Sequence, residues 1–244
     1  MLVNLRENLN TGFYKDLDTN FERALELSKV NFTHEELIKM LKIGNIPEKQ
    51  IAALKLEKLN DELDAEVLVS NLTGCDGKIR EAVALKINNL LSENETYSKY
   101  FNQAEVFANA SIDINANICR LVIDSVLILK KDKIFAEKYL NRILLFINQA
   151  FEELDNFIFR DKKYVINKQL FKLYWTLEAL KVFANEIDVT TLYPILDKAS
   201  KEREYTVREK VAQILVNSKD EKFSEIVERL KNDENYYVRN ALNN

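Results

Sequence analysis

Glycine and proline are scarce in this chain, which has 4 glycines and 2 prolines among its 244 residues. Average usage would supply roughly 17 and 12. A sheet protein of this length needs many tight turns, and those turns depend on these two residue types. The shortage therefore argues against a sheet protein and favours helices joined by short polar loops.

Cysteine and long apolar runs are scarce as well. Cys75 and Cys119 lie far apart and form no CxxC pair, which predicts free thiols in a reducing compartment. No apolar run reaches the length of a membrane-spanning helix, and the first residues lack the apolar core of a secretory signal. We therefore expect a cytoplasmic protein with no membrane span.

What the chain has instead is a helical phrase that recurs about six times. Two copies show it best, Asn45-Ile-Pro-Glu-Lys49-Gln-Ile-Ala-Ala-Leu54 and Asp76-Gly-Lys-Ile-Arg80-Glu-Ala-Val-Ala-Leu85. The copies begin at residues 45, 76, 115, 163, 204 and 235. A repeat of this length predicts stacked helix pairs, in which neighbouring pairs complete one another's core.

Helical spacing predicts which face of each phrase is buried. If the basic residue is position zero, positions −1, +3, +4, +7 and +10 share one face. Around Arg80 this stripe is Ile79, Val83, Ala84, Ile87 and Leu90, and around Arg208 it includes Val207, Val211, Ala212 and Leu215. In the fourth copy, Asn167 replaces the basic residue and the stripe is Leu170, Phe171, Tyr174 and Leu177.

The third copy requires a choice of register. Aligning Asp113 with Asp76 would bury Arg120 and Asp124, which is unfavourable because charged groups lose their hydration. A shift of two residues puts Cys119 at position zero and makes the buried stripe wholly apolar. That stripe is Ile118, Val122, Ile123, Val126 and Leu129.

A partner helix should precede each phrase. Thr33 and Glu36 form a capping box that opens the first, over about 33–43. The others are expected near 61–72, 94–109, 132–158, 188–201 and 219–232. An amphipathic helix over 12–29 adds an N-terminal cap, so we predict a capping segment at 1–32 and one elongated repeat array at 33–244.

The phrase resembles the second helix of HEAT repeats, which carries Asp-x-x-Val-Arg-x-x-Ala. The matches are Asp76 to Val83, Glu204 to Ala212 and Asn235 to Leu242, whereas positions 119 and 167 lack the arginine. The resemblance covers about residues 33–244 and assigns no subfamily. It implies an all-α solenoid of about six helix pairs, with the second helices lining the concave side.

Catalytic motifs are not evident. The sequence contains no GxxxxGK[ST], GxGxxG or HExxH motif, and the lone His34 cannot form a zinc site with distant cysteines. Glu204 and Arg208, like Asp76 and Arg80, have the spacing of intrahelical ion pairs. We therefore expect no catalytic, cofactor-binding or metal-binding residues, and no cofactor.

The predicted concave face, at positions +1, +5, +8 and +9, is electrically balanced. Its bases are Lys58, Arg120, Lys168 and Lys172, and its acids are Glu57, Glu81, Asp124 and Glu209. DNA binding needs several phosphate contacts from lysine or arginine. This balance, together with a net charge of −4, argues against a nucleic-acid partner.

Two groups of residues are candidates for contact with a partner. Lys168, Lys172 and Trp175 share one helix face, although Trp175 has a second interpretation, in which it packs inside. Phe135, Tyr139, Phe146 and Phe159 lie beside the core stripe of the longest helix. Either another part of the chain covers these aromatic residues or a partner does.

The leading hypothesis is a non-enzymatic scaffold that binds a protein or peptide, and its oligomeric state is left open. Two enzymes remain as alternatives through the resemblance. One is a HEAT-like phycobilin lyase, for which no diagnostic residue can be named. The other is a HEAT-like alkylpurine DNA glycosylase, in which Trp175 and Asp124 would serve.

Overall fold

The computed structural model describes residues 12–156, 163–216 and 220–243, and the regular secondary structure there is helical throughout. The all-α prediction is confirmed. Contacts divide the chain into two compact units, Met1–Val106 with Asn115–Leu129 and Phe107–Ile114 with Lys130–Asn244. The single array from 33 to 244 and its capping segment stay predictions.

The first unit is built from short antiparallel helices. They are α1 Gly12–Ser28, α2 His34–Ile43, α3 Ile46–Lys55, α4 Glu62–Val69, α5 Gly77–Glu93, a 3₁₀ helix Glu95–Tyr100, the start of α6 Ala104–Ala110, and α7 Ala116–Leu129. The phrase helices α3, α5 and α7 lie side by side. Because α2 contacts α4 and α4 contacts the 3₁₀ helix, the partner helices form a second layer, as in an α-solenoid.

The second unit repeats this layering with longer helices. They are the end of α6, then α8 Lys133–Asp155, α9 Lys163–Lys181, α10 Val189–Ala199, α11 Tyr205–Leu215, a 3₁₀ helix Glu221–Phe223, α12 Ser224–Lys231 and α13 Tyr236–Ala241. The phrase helices α9, α11 and α13 again pack side by side, with α8 against α9 and α12 against both α11 and α13.

The first residue of a phrase generally acts as an N-cap. The side chain of Asn45 accepts a hydrogen bond from the backbone N–H of Glu48, and that of Asp76 accepts from Lys78 and Ile79. Asn235 caps α13 in the same way. These caps satisfy backbone donors that a helix start leaves free, which explains why a polar residue opens each of these helices.

The predicted register of the third phrase is confirmed. Ile118, Val122, Ile123, Val126 and Leu129 are buried, and Cys119 is fully buried beside them. Arg120 and Asp124 are exposed, as the cost of burying charge requires.

The predicted stripe of α9 is displaced, and most of the described side chains of α1 are exposed. Among residues 19–28 of α1, Leu27 is buried, whereas Phe21 and Leu25 are exposed. In α9 the predicted Leu177 is buried, but Leu170, Phe171 and Tyr174 are only half-buried, and burial extends instead to Leu173, Trp175 and Thr176. Because α8 packs on one side of α9 and α11 on another, more than one face of this helix is covered.

The phrase arginines donate hydrogen bonds to the loops that precede their helices. Arg80 donates to the carbonyl of Gly74 (2.7 Å), and Arg208 donates to that of Glu202 (2.8 Å). Arg208 also pairs with Asp233 rather than with Glu204, so the predicted intrahelical pair is wrong there. The buried Asp233 carboxylate comes from the loop before α13, which a pattern within one helix does not include.

Candidate functional site

The aromatic residues predicted beside the core stripe of α8 are buried within the second unit. Phe135, Tyr139 and Phe146 are 3%, 0% and 7% exposed. The Phe107 ring packs edge-on against Phe135 at 5.5 Å, and Phe183 lies 5.7 Å from Tyr139.

The Tyr139 hydroxyl also hydrogen-bonds that of Ser111 at 2.7 Å. Other parts of the chain therefore cover Phe135, Tyr139 and Phe146, as the first of the two alternatives stated. Phe159 lies outside the described residues.

The predicted Lys168, Lys172 and Trp175 group is only partly at the surface. Lys168 is exposed and Lys172 half-buried, but Trp175 is 4% exposed. Its indole contacts the rings of Phe171 and Tyr174 edge-on, at 6.2 and 5.2 Å. The packed interpretation of Trp175 therefore agrees with its burial, and a partner contact through the two lysines stays a prediction.

Replacing Trp175 by alanine is expected to lower the free energy of unfolding by about 3–5 kcal/mol, because it leaves a large cavity among packed rings. Denaturant unfolding followed by circular dichroism measures this change. Lys168→Ala, on an exposed position of the same helix, serves as the control. Equal midpoints for the two variants would show that the indole lies outside the core.

A different surface lies where α9, α11 and α13 meet. The end of α9, one face of α11 and one face of α13 line a cleft of about 320 Å³. Its walls are Lys181, Glu209, Gln213, Val216, Tyr237, Asn240 and Ala241. The predicted concave face included Glu209 and Gln213 but missed α13.

Tyr237 of this cleft belongs to an exposed group of three tyrosines, which we name the tyrosine cluster: Tyr205, Tyr236 and Tyr237. Tyr237 stacks on Tyr205 at 6.2 Å and meets Tyr236 edge-on at 5.7 Å. The three are 36%, 64% and 60% exposed, respectively. Rigid aromatic rings that remain in water are typical of binding hot spots.

The two lysines near the cleft share one carboxylate. Glu178 accepts hydrogen bonds from Lys181 (2.6 Å) and Lys210 (2.5 Å), and Lys210 also donates to Gln213 (2.9 Å). Burial alone would raise the pKa of Glu178, but these two lysines hold it below its usual value. Glu209 accepts a hydrogen bond only from the Gln213 amide within the described part of the chain (3.3 Å).

The amide of Asn240 is the most available hydrogen-bonding group in the cleft. Among residues 12–156, 163–216 and 220–243 its side chain makes no hydrogen bond, and the residue is half-buried. An asparagine amide offers both a donor and an acceptor, which is the pair of groups that a peptide backbone presents.

The repeat itself carried a signal for the tyrosine cluster. Tyr205 and Tyr236 occupy equivalent positions of their phrases, and both lie off the predicted buried stripe. An aromatic residue repeated at an unburied position indicates a surface role. The pairing of Tyr205 with Tyr237 could be seen only once α11 and α13 were packed together.

The enzyme alternatives gain no support from the site. The burial of Trp175 removes the exposed indole that the glycosylase alternative requires. No group of three or more histidine, cysteine, aspartate or glutamate residues that could hold a metal occurs in the described ranges. No helix in those same ranges is long and apolar enough to cross a membrane.

Comparison with known proteins assigns no family. No family model and no curated protein matches the chain. Among solved structures, it is similar to an engineered protein from a structural genomics consortium, with 15% identity, a TM-score of 0.46, and 86% of this chain and 93% of that chain covered.

Two designed armadillo repeat proteins are also similar, each with 12% identity and with 85% of this chain and 95% of theirs covered. Their TM-scores are 0.43 and 0.44, and the second is in complex with the peptide (KR)4. The α-helical repeat class of this protein is evident from its own helix packing.

Proposed function

We propose that this protein is a non-enzymatic binding module, and that the cleft between α9, α11 and α13 holds a short extended segment of a partner protein. The observation that carries the proposal is the exposed tyrosine cluster beside the available Asn240 amide. Aromatic rings supply contact area at low conformational cost, and the amide supplies backbone hydrogen bonds.

The shape and polarity of the site support an extended segment. The cleft is about 320 Å³, which accommodates a short stretch of chain rather than a domain. Its polar residues include Asn240 and Glu209, whose side-chain oxygens can accept hydrogen bonds from the backbone N–H groups of a peptide. Glu178 and Glu209 together balance the charges of Lys181 and Lys210, which does not favour the several phosphate contacts that a nucleic-acid backbone requires.

Selection from a random peptide display library tests the proposal. We expect peptides whose binding, measured by fluorescence polarisation, weakens about thirtyfold in Tyr237→Ala, the loss typical of a hot-spot residue. Asn240→Ala should weaken the same peptides. Because both side chains lie at the surface, neither change should alter the unfolding midpoint.

Tyr97→Ala is the matched control, since Tyr97 is a half-buried tyrosine of the first unit and does not line this cleft. Its peptide affinity should equal that of the unmodified protein. If every selected peptide binds Tyr237→Ala and Asn240→Ala with unchanged affinity, the cleft is not a peptide site.

A further inference from the structure

A second cleft lies within the first unit, at the end where α2 begins and α3 finishes. Antiparallel packing brings the first turn of α2 beside the last turn of α3 and the loop that follows it. The cleft measures about 440 Å³, within the size range of small-molecule sites. Phe32, Leu37 and Leu54 form its apolar wall, and Leu54 is 41% exposed.

Two lysines that line the cleft have no carboxylate partner among the described residues. Neither Lys55 nor Lys58 forms an ion pair with any residue that the structure describes. The carboxylate on this wall is Glu57, whose charge also acts on Lys86 of α5. Burial lowers the pKa of Lys86, and Glu93 and Glu57 oppose that shift. The lining therefore carries two lysines against one carboxylate, an excess of positive charge.

His34 adds a fixed polar group to the cleft. Its Nε2 lies 2.7 Å from Oδ2 of Asp64, and the same oxygen accepts the backbone N–H of Asn60 at 2.8 Å. A carboxylate can only accept, so Nε2 carries the hydrogen. The second ring nitrogen forms no hydrogen bond to any described residue, and the Asp64 contact fixes the orientation of the ring.

We propose that this cleft binds a small organic anion, a phosphate or carboxylate carried on an apolar body. Lys55 and Lys58 would hold the anionic group, because charge-assisted hydrogen bonds are the strong polar contacts of a half-open site. Phe32, Leu37 and Leu54 would cover the apolar body. The site lies in the other unit from the peptide cleft, and the two proposals stand independently.

Titration with phenyl phosphate, followed by amide chemical shifts in the full-length protein, tests the site. We expect chemical-shift changes at residues 31–37 and 54–58. Phenyl phosphate is added up to about 10 mM, which nearly saturates a site whose dissociation constant is about 1 mM. Inorganic phosphate lacks the apolar body and benzyl alcohol lacks the charge, so each should bind more weakly at constant ionic strength.

The lysine variants separate charge from shape. The double variant Lys55→Gln, Lys58→Gln should weaken phenyl phosphate binding about tenfold, as the loss of a hydrogen bond to a charged group does. Lys58→Arg keeps the charge and should keep the affinity. Lys78→Gln, an exposed lysine on α5, removes one charge elsewhere in the same unit and should change nothing.

A phosphotyrosine peptide in a glycine-serine background distinguishes a free anion from one carried on a protein. If phenyl phosphate binds more tightly than the peptide, the ligand is a free small anion. If the peptide binds more tightly, the anion is carried on a protein and the proposed free ligand is wrong. Unchanged affinity in the double lysine variant, or shifts confined to residues outside 31–37 and 54–58, would overturn the site itself.

Discussion

Replacing Val83 or Val211 by aspartate is expected to unfold the unit that contains it. Both valines are fully buried, each on the apolar stripe of a phrase helix. Aspartate would place a carboxylate among apolar side chains with no partner. The free-energy cost of an unpaired buried charge exceeds the free energy of unfolding of most domains. Helix content measured by circular dichroism should fall at 25 °C, or the melting temperature should drop sharply.

Leu85→Asp is the control for the first of these changes. Leu85 lies on the same helix as Val83, two residues later, and is 39% exposed. An aspartate there keeps its hydration, so the melting temperature should shift by only a few degrees. Similar melting curves for Val83→Asp and Leu85→Asp would mean that the assigned buried stripe is wrong.

Breaking the ion pair between Arg208 and Asp233 is expected to have the next largest effect. Nε and Nη2 of Arg208 lie 2.6 and 3.0 Å from the two carboxylate oxygens of Asp233, and both side chains are less than one-tenth exposed. The pair joins α11 to the loop before α13. Asp233→Asn should lower the free energy of unfolding by about 3–5 kcal/mol, because it leaves a buried guanidinium whose remaining ion-pair partner, Glu234 at 3.7 Å, is exposed.

The effect should depend on pH in a defined direction. Burial alone would raise the pKa of Asp233, but hydrogen bonds from Arg208 and from the Asn235 backbone N–H outweigh burial and lower it. A carboxyl with a lowered pKa stabilises the folded state above its unfolded value of about 3.9, and this contribution is lost as pH falls through the folded value. The difference between the unmodified protein and Asp233→Asn should therefore be largest at neutral pH and shrink in acid.

Urea unfolding at neutral and acidic pH measures this difference. Asp155→Asn is a suitable control, because Asp155 pairs with Lys198 in the same unit but is 61% exposed. Its removal should change the free energy of unfolding by at most about 1 kcal/mol. A pH-independent difference for Asp233→Asn would show that the ion pair contributes nothing.

Much of the local structure follows from the sequence. Asn45, Asp76 and Asn235 open their helices because their side chains accept backbone N–H groups within three residues. The register around Cys119 follows because the alternative would bury Arg120 and Asp124. These properties depend on residues within one or two helical turns, so spacing alone is enough to predict them.

Residue types and spacing did not predict the site. The sequence places Tyr139 beside the core stripe of the longest helix and leaves open what covers it. For Trp175 it allows two interpretations, a contact with a partner or packing inside. Packing decides: Phe107 and Phe183 from distant parts of the chain enclose the rings of Phe135 and Tyr139. The tyrosine cluster and the Arg208–Asp233 pair likewise depend on how α11 meets α13.

The sequence by itself determined the helical repeat, the helix starts and, for most phrases, the buried face, because these depend on local hydrogen bonding and on a period of 3.6 residues. Tertiary structure alone decided how the exposed tyrosines pair, which carboxylate Arg208 meets, and where clefts form. Those outcomes depend on contacts between residues 25 or more positions apart, as between Arg208 and Asp233. A periodic pattern within a single helix cannot predict these contacts.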